Sequence, residues 1–196
     1  VIATEMANCW EQFGEGKLKL FAVESGTYCV VCSRLEFKEH PKIDHFTQYL
    51  FETQLPLKQK TYYQYLFTAE GTAPVVNAYR NSKFADQDNV DTSVPMAVLF
   101  IAHKKIDSWA DYMTSALGAG GAAVGTALAL TGVGAPIGVP IIIASAAIGG
   151  TTTHYLAGPY LKDQEFAAST VLWPYDEIPA LKCSRLEGSA GQLGFT

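Results

Sequence analysis

Cys29-Val30-Val31-Cys32 is the stretch of this sequence whose residue types and spacing raise the sharpest chemical question. A C-x-x-C pair serves as a redox dithiol or as half of a zinc site. The redox form sits at a helix start, where the dipole lowers a thiol pKa. Here the pair falls inside Thr27 to Phe37, a run rich in β-branched and aromatic residues that reads as a strand. On a strand the two sulfurs point to opposite faces, so a bond between them would be strained. Zinc needs two more ligands, and Cys9, Cys183, His40, His45, His103 and His154 form no second knuckle. The sequence therefore implies no metal and no cofactor. What remains is a structural role, with each strand cysteine bonded to Cys9 or Cys183. Four cysteines allow three connectivities, and the facing rule disfavours one of them. Two disulfides would put the domain outside the cytoplasm; four buried free thiols in a reducing compartment are the alternative.

Other polar clusters carry less. His40, Asp44 and His45 gather near a helix start but have no nucleophile among them, and a solvated helix start accounts for them. Asp86, Asp88 and Asp91 lie in a polar surface loop between Ala69 and Thr92. They lack the spacing and the closing Glu of an EF-hand. The Tyr62-Tyr63-Gln64-Tyr65 cluster can serve as a ligand platform, yet core packing explains it more simply. No G-x-S-x-G, H-E-x-x-H, Walker loop or G-x-G-x-x-G after a strand is present. The expectation is a protein that is not an enzyme, with no small-molecule substrate identified.

The elements that position the cysteines can be read in order. Ile2, Met6, Trp10 and Phe13 line one face of a helix that Gly14 and Gly16 end. Residues 17–23 and 27–37 read as a β-hairpin around Glu24-Ser25-Gly26. On its second strand Cys29, Val31, Leu35 and Phe37 share one face, and Val30, Cys32, Arg34 and Glu36 the other. Pro41 to Thr53 carries Ile43, Phe46, Tyr49 and Leu50 at helical spacing. Met96 to Ala102 is continuously apolar, as in a strand buried on both faces. Ser169 to Trp173 reads as a last strand, and Glu177 to Leu186 as a short helix carrying Cys183. The predicted class is α+β: a small, mostly antiparallel sheet of about four strands with flanking helices.

Into this domain is inserted a stretch of another kind. Tyr112 to Leu161 holds no Asp, Glu, Lys or Arg and ten of the chain's 17 glycines. A soluble surface needs charge, so such a run must be buried in lipid, in a subunit interface or in its own core. Gly132, Gly134, Pro136, Gly138 and Pro140 divide it with turn residues. Residues 113–130 and 137–156 then form the arms of an apolar Gly/Ala-rich helical hairpin, about 27 and 30 Å long as helices. That length fits a bilayer core of about 30 Å. Gly118 and Ala122, Gly121, Gly125 and Ala129, and Ala146 and Gly150 recur at four-residue spacing, the small-residue groove of closely packed helices. Trp109, Tyr112, Tyr155 and Tyr160 flank the stretch like an interfacial belt. The division is 1–111 and 162–196 as the two parts of the α+β domain, with 112–161 as the hairpin.

Outside that stretch charge is ordinary, and the net charge of −5 argues against nucleic acid as a partner. Cys9-Trp10 with Phe13-Gly14-Glu15-Gly16, Leu20-Phe21, then Cys29-Val30-Val31-Cys32-Ser33 with Phe37, resemble an uncharacterised family of archaeal membrane-anchored proteins. The Gly/Ala hairpin and the late Trp173-Pro174-Tyr175 followed by Cys183 keep the same order. The resemblance implies an anchor upstream of Val1 and an extracytoplasmic domain, at the membrane or the cell surface. It brings no activity and no catalytic residue. Three functions follow as expectations. The first is a non-enzymatic cell-envelope structural protein that self-assembles into a homo-oligomer or filament through its hairpin, with membrane lipid as an expected partner. The second is a membrane-inserting, pore-forming effector. The third is a thiol-disulfide oxidoreductase using Cys29 and Cys32.

Overall fold

A computed structural model describes residues 1–16, 26–66, 80, 89–104, 128–130, 141–148, 151–157, 166–181 and 183. The chain opens with helix α1, Ile2–Gln12. Its buried side is Ile2, Ala3, Met6, Ala7, Cys9 and Trp10, the face that the 3.6-residue period implies. The helix stops at Phe13, and Gly14–Gly16 forms a 3-10 turn with positive φ at all three residues. Gly16 is obligatory there: φ is +71°, and a Cβ would stand 2.6 Å from Cη2 of Trp10.

Three antiparallel strands make the central sheet: β1 (Gly26–Leu35), β4 (Met96–Lys104) and β8 (Phe166–Pro174), in the order β1-β4-β8. Between β1 and β4 come β2 (Ile43–Asp44), α2 (Phe46–Glu52), α3 (Tyr62–Leu66) and β3 (Asn89–Val90), with β2 paired to β3. β4 is central, and residues 96–102 are all within 1% of full burial. A strand buried on both faces needs a continuous apolar run, which Met96 to Ala102 supplies. On the first face Met96, Val98, Phe100 and Ala102 pack with Ala168 and Leu172 of β8 against α1, α2 and α3. Phe13 stacks on Phe100 at 4.2 Å between centroids. Tyr62, Tyr63 and Tyr65 belong to this core, so the aromatic cluster is packing. Burial lifts the Tyr63 phenol well above its ordinary pKa. On the second face Ala97, Leu99, Ile101, Val171 and Trp173 are equally buried.

The α+β class holds, and three sequence expectations are revised. The helix read over 41–53 begins only at Phe46, because Ile43 and Asp44 pair with Val90 and Asn89, and His45 takes a left-handed φ of 55°. The helix read over 177–186 is a 3-10 segment, Tyr175–Ala180, interrupted by Pro179 and finished before Cys183. The largest revision concerns the apolar stretch. Its described residues are strands: β5 (Leu128–Leu130), β6 (Ile141–Ile148) and β7 (Thr151–Ala157), antiparallel in the order β5-β6-β7. The run Ile141-Ile142-Ile143 and the run Thr151-Thr152-Thr153 are β-branched and fit a pleated sheet better than a helix. The helical hairpin is therefore not the structure of these segments. The proposed first strand, 17–23, lies outside the described residues. No helix among the described residues is long and apolar enough to cross a membrane.

Candidate functional site

β1 carries the C-x-x-C pair, and its register explains where each sulfur goes. Val31 pairs with Leu99 and Ser33 with Val98, so Cys32 is the extra residue of a β-bulge. Cys29, opposite Ile101, faces the second side of the sheet, while Cys32 faces α1. Cys32 is bonded to Cys9 of α1, and Cys29 to Cys183 beyond β8, each with Cα atoms 5.6 Å apart. The opposite-face reading of the two cysteines thus holds, as does their pairing with Cys9 and Cys183. The bulge nevertheless changes the rest of the strand. Leu35 and Phe37 pack on the same core as Val30 and Cys32, whereas alternation without a bulge grouped them with Cys29. No sequence signal marks a bulge at Cys32; only the core contacts of Leu35 and Phe37 fix the phase.

All four cysteines are oxidised. A dithiol catalyst would need Cys29 and Cys32 bonded to each other in its oxidised form, and here each is bonded elsewhere. Cys9 is 1% exposed, beneath the helix it belongs to. The other bond ties the C-terminal segment back across the sheet. Tyr175 donates its N–H to the Pro95 carbonyl at 2.8 Å, and the Arg34 guanidinium lies 4.4 Å over the Tyr175 ring. Leu181 is buried, and Cys183 then reaches Cys29. The two closed loops span 23 and 154 residues. Chain-entropy reasoning gives roughly 3 and roughly 5 kcal/mol for loops of those lengths.

The apolar stretch is inserted between two neighbouring strands of this clamped domain, and its strand β7 packs on β8 and on β3. Lys104, the end of β4, pairs directly with Phe166, the start of β8. The chain therefore leaves and re-enters the sheet at adjacent positions, as in a hairpin whose loop has been enlarged. Of the residues expected to pack helices, Ala129 lies in β5 and Ala146 in β6. Gly118, Gly121, Ala122, Gly125 and Gly150 lie outside the described residues, as do Gly132, Gly134, Pro136, Gly138 and Pro140.

The remaining polar clusters do not converge. His40 shares its Nδ1 with the Thr92 carbonyl at 2.9 Å, Asp44 is paired with Lys42, and His45 precedes α2. Asp91 accepts the Ser93 N–H at 2.8 Å, and the Ser93 hydroxyl first and this N–H second hold its carboxyl below the usual range. Asp86 and Asp88 lie outside the described residues. Among the described residues no cluster of His, Cys, Asp and Glu could hold a metal ion. One cleft of about 190 Å³ opens beside His40, lined by Glu36, Phe37, Lys38, Thr92, Val94 and Pro95. It brings together segments about 55 residues apart in sequence, which local pattern cannot reveal. No family model, no curated protein and no solved structure matches this chain.

Proposed function

We propose that this chain is a non-enzymatic cell-envelope protein that self-assembles through its charge-free 112–161 stretch, carried by a disulfide-clamped α+β domain. The observation that carries the reading is the Lys104–Phe166 pairing, which makes the charge-free stretch an insertion between two neighbouring strands of the β1-β4-β8 sheet, with its β7 packed on β8. A stretch without charge needs a partner surface or lipid to cover it, and a second copy of the same stretch is the partner every copy brings with it. The two disulfides support an oxidising, extracytoplasmic home. That location agrees with the anchored family the sequence resembles.

A second reading has its own support. The described parts of the stretch are antiparallel strands, and closed sheets are, with helices, the forms that can satisfy a backbone inside lipid. A membrane-inserting effector built on β6 and β7 follows from that. Light scattering of the full chain in detergent-free buffer, before and after adding phosphatidylcholine–phosphatidylglycerol vesicles, separates the two. The assembly reading expects a large regular particle without lipid. It also expects a monomer when 112–161 is replaced by a short Gly-Ser linker. A small particle in buffer that makes dye-loaded vesicles leak would overturn assembly and favour insertion.

A further inference from the structure

The chain after β8 runs as a strap over the second face of the sheet, and two points on β1 mark its course. The Arg34 guanidinium covers the Tyr175 ring at one end, and Cys29 holds Cys183 at the other. Arg34 pairs with Ala97 and Cys29 with Ile101, so both belong to the second face, four residues apart along β4. That separation is about 13 Å. The 3-10 segment Tyr175–Ala180 rises about 2 Å per residue, and three more residues bring the chain to Cys183, enough to make the crossing. Among the described residues, the buried hydrophobic side chains outside the first-face core are Ala97, Leu99, Ile101, Val171, Trp173 and Leu181. Leu181 therefore packs on the second face, between the two anchors.

The two disulfides differ in access and in what they hold. Cys9 is 1% exposed, and Cys32 packs against the first-face core. Cys29 and Cys183 are both partly exposed. Thiol–disulfide exchange begins with a thiolate reaching a sulfur, so access favours the second bond. The Cys9–Cys32 bond joins α1 to β1, two elements that the core holds together in any case. The described residues of 174–183 take no part in that core. Tyr175 fixes the start of the strap to Pro95, whereas Leu181 and Cys183 donate their N–H groups within the strap, to Ile178 at 3.0 Å and Leu181 at 2.7 Å. Asp176 and Pro179 are exposed. A segment held this lightly opens locally, without the rest of the domain.

We propose that the Cys29–Cys183 bond is a thiol-sensitive latch: an external dithiol opens it while Cys9–Cys32 stays closed, and the strap then lifts Leu181 from the second face. One thiolate of the dithiol attacks a sulfur of the latch, and the other cysteine leaves as a thiolate. The second thiol of the dithiol then displaces the first cysteine. The dithiol closes to its own disulfide, two electrons pass to the latch, and its two protons end on Cys29 and Cys183. The closed form is strapped; the open form bares Leu181 and the apolar ground it covered. The inference stands on the course of the strap and is independent of the assembly proposed above.

The full chain, held without denaturant in graded mixtures of reduced and oxidised dithiothreitol, tests the latch. Samples are quenched with iodoacetamide, and the alkylated cysteines are mapped by mass spectrometry. Cys29–Cys183 should open at least about tenfold faster than Cys9–Cys32, through a species alkylated at Cys29 and Cys183 alone. That species should keep its circular dichroism, while the Tyr175 and Leu181 amides exchange faster and those of α1 and β4 do not. Opening of Cys9–Cys32 first, loss of both bonds in one unfolding step, or resistance of both bonds overturns the proposal. Leu181→Ala tests release itself. If the open strap leaves the sheet, the variant weakens only the closed form and shifts the redox equilibrium about tenfold or more toward free thiols. An unshifted equilibrium means that the strap stays docked when the bond is open, which also overturns it.

Discussion

Gly16→Ala tests how tightly the end of α1 is fitted to the sheet. The added methyl meets two obstacles. The backbone at φ +71° is left-handed, a region that costs an alanine about 1–2 kcal/mol. The Cβ also falls 2.6 Å from Cη2 and 3.2 Å from Cζ2 of Trp10, and 3.3 Å from Cβ of Ala168. Trp10 is fully buried against Phe100, and Ala168 belongs to β8, so neither yields easily. Overpacking of this kind costs about 1–3 kcal/mol. The expected loss is roughly 3 kcal/mol, or about 6–12 °C in melting temperature for a chain of this size. Trp10→Phe removes both obstructing indole atoms and separates the two causes. In that background Gly16→Ala should cost its backbone share and the smaller contact with Ala168. Guanidinium unfolding of the four proteins of the cycle, without reductant, gives the coupling directly. Equal cost in both backgrounds would refute the steric argument, and a loss under about 0.5 kcal/mol in the parent would refute both.

The two disulfides should differ in weight. Removing Cys29 and Cys183 together by alanine should destabilise more than removing Cys9 and Cys32, by about 1.7 kcal/mol from loops of 154 and 23 residues, measured by guanidinium unfolding. Both bonds should appear as a mobility change on reduction in denaturing gels, and an unchanged band would contradict them. Asp91 supplies a pH dependence. Its folded pKa is lowered, so its contribution is present above the unfolded value near 3.9 and is lost as pH falls through the folded one. Asp91→Asn should therefore flatten the acid limb of the stability profile, and an unaltered limb would count against the Ser93 bond.

The parts of this fold that were legible share a physical property: their signal is local and redundant. β4 announces itself through seven consecutive apolar residues, and α1 through Ile2, Met6 and Trp10 followed by two glycines. The cysteine pairing was narrowed by strand alternation alone, because an odd spacing separates two side chains when no bulge falls between them, and here the bulge comes at Cys32 itself. Leu35 and Phe37 were misassigned for the complementary reason. A single bulge reverses alternation, and nothing in Cys32-Ser33 advertises one. The apolar stretch misled differently. Without charged residues it has no amphipathic period, and length and small-residue spacing favoured helices where Ile141–Ile143 and Thr151–Thr153 favoured strands. The cleft is made by segments far apart in sequence, so periodicity could not announce it.

The 154-residue span of the Cys29–Cys183 bond sets an order of events during synthesis. Cys9 and Cys32 can meet as soon as α1 and β1 have emerged, across a short loop with a small closure cost. Cys29 has no native partner until Cys183 has emerged, and β8 cannot join β4 before the whole charge-free stretch has passed. Until then the domain carries one unpaired thiol beside an already closed bond and an unfinished sheet. Early closure of Cys9 with Cys32 protects the right partner for Cys29 by removing both wrong ones. An N-to-C schedule of oxidation is thus written into the positions of four residues.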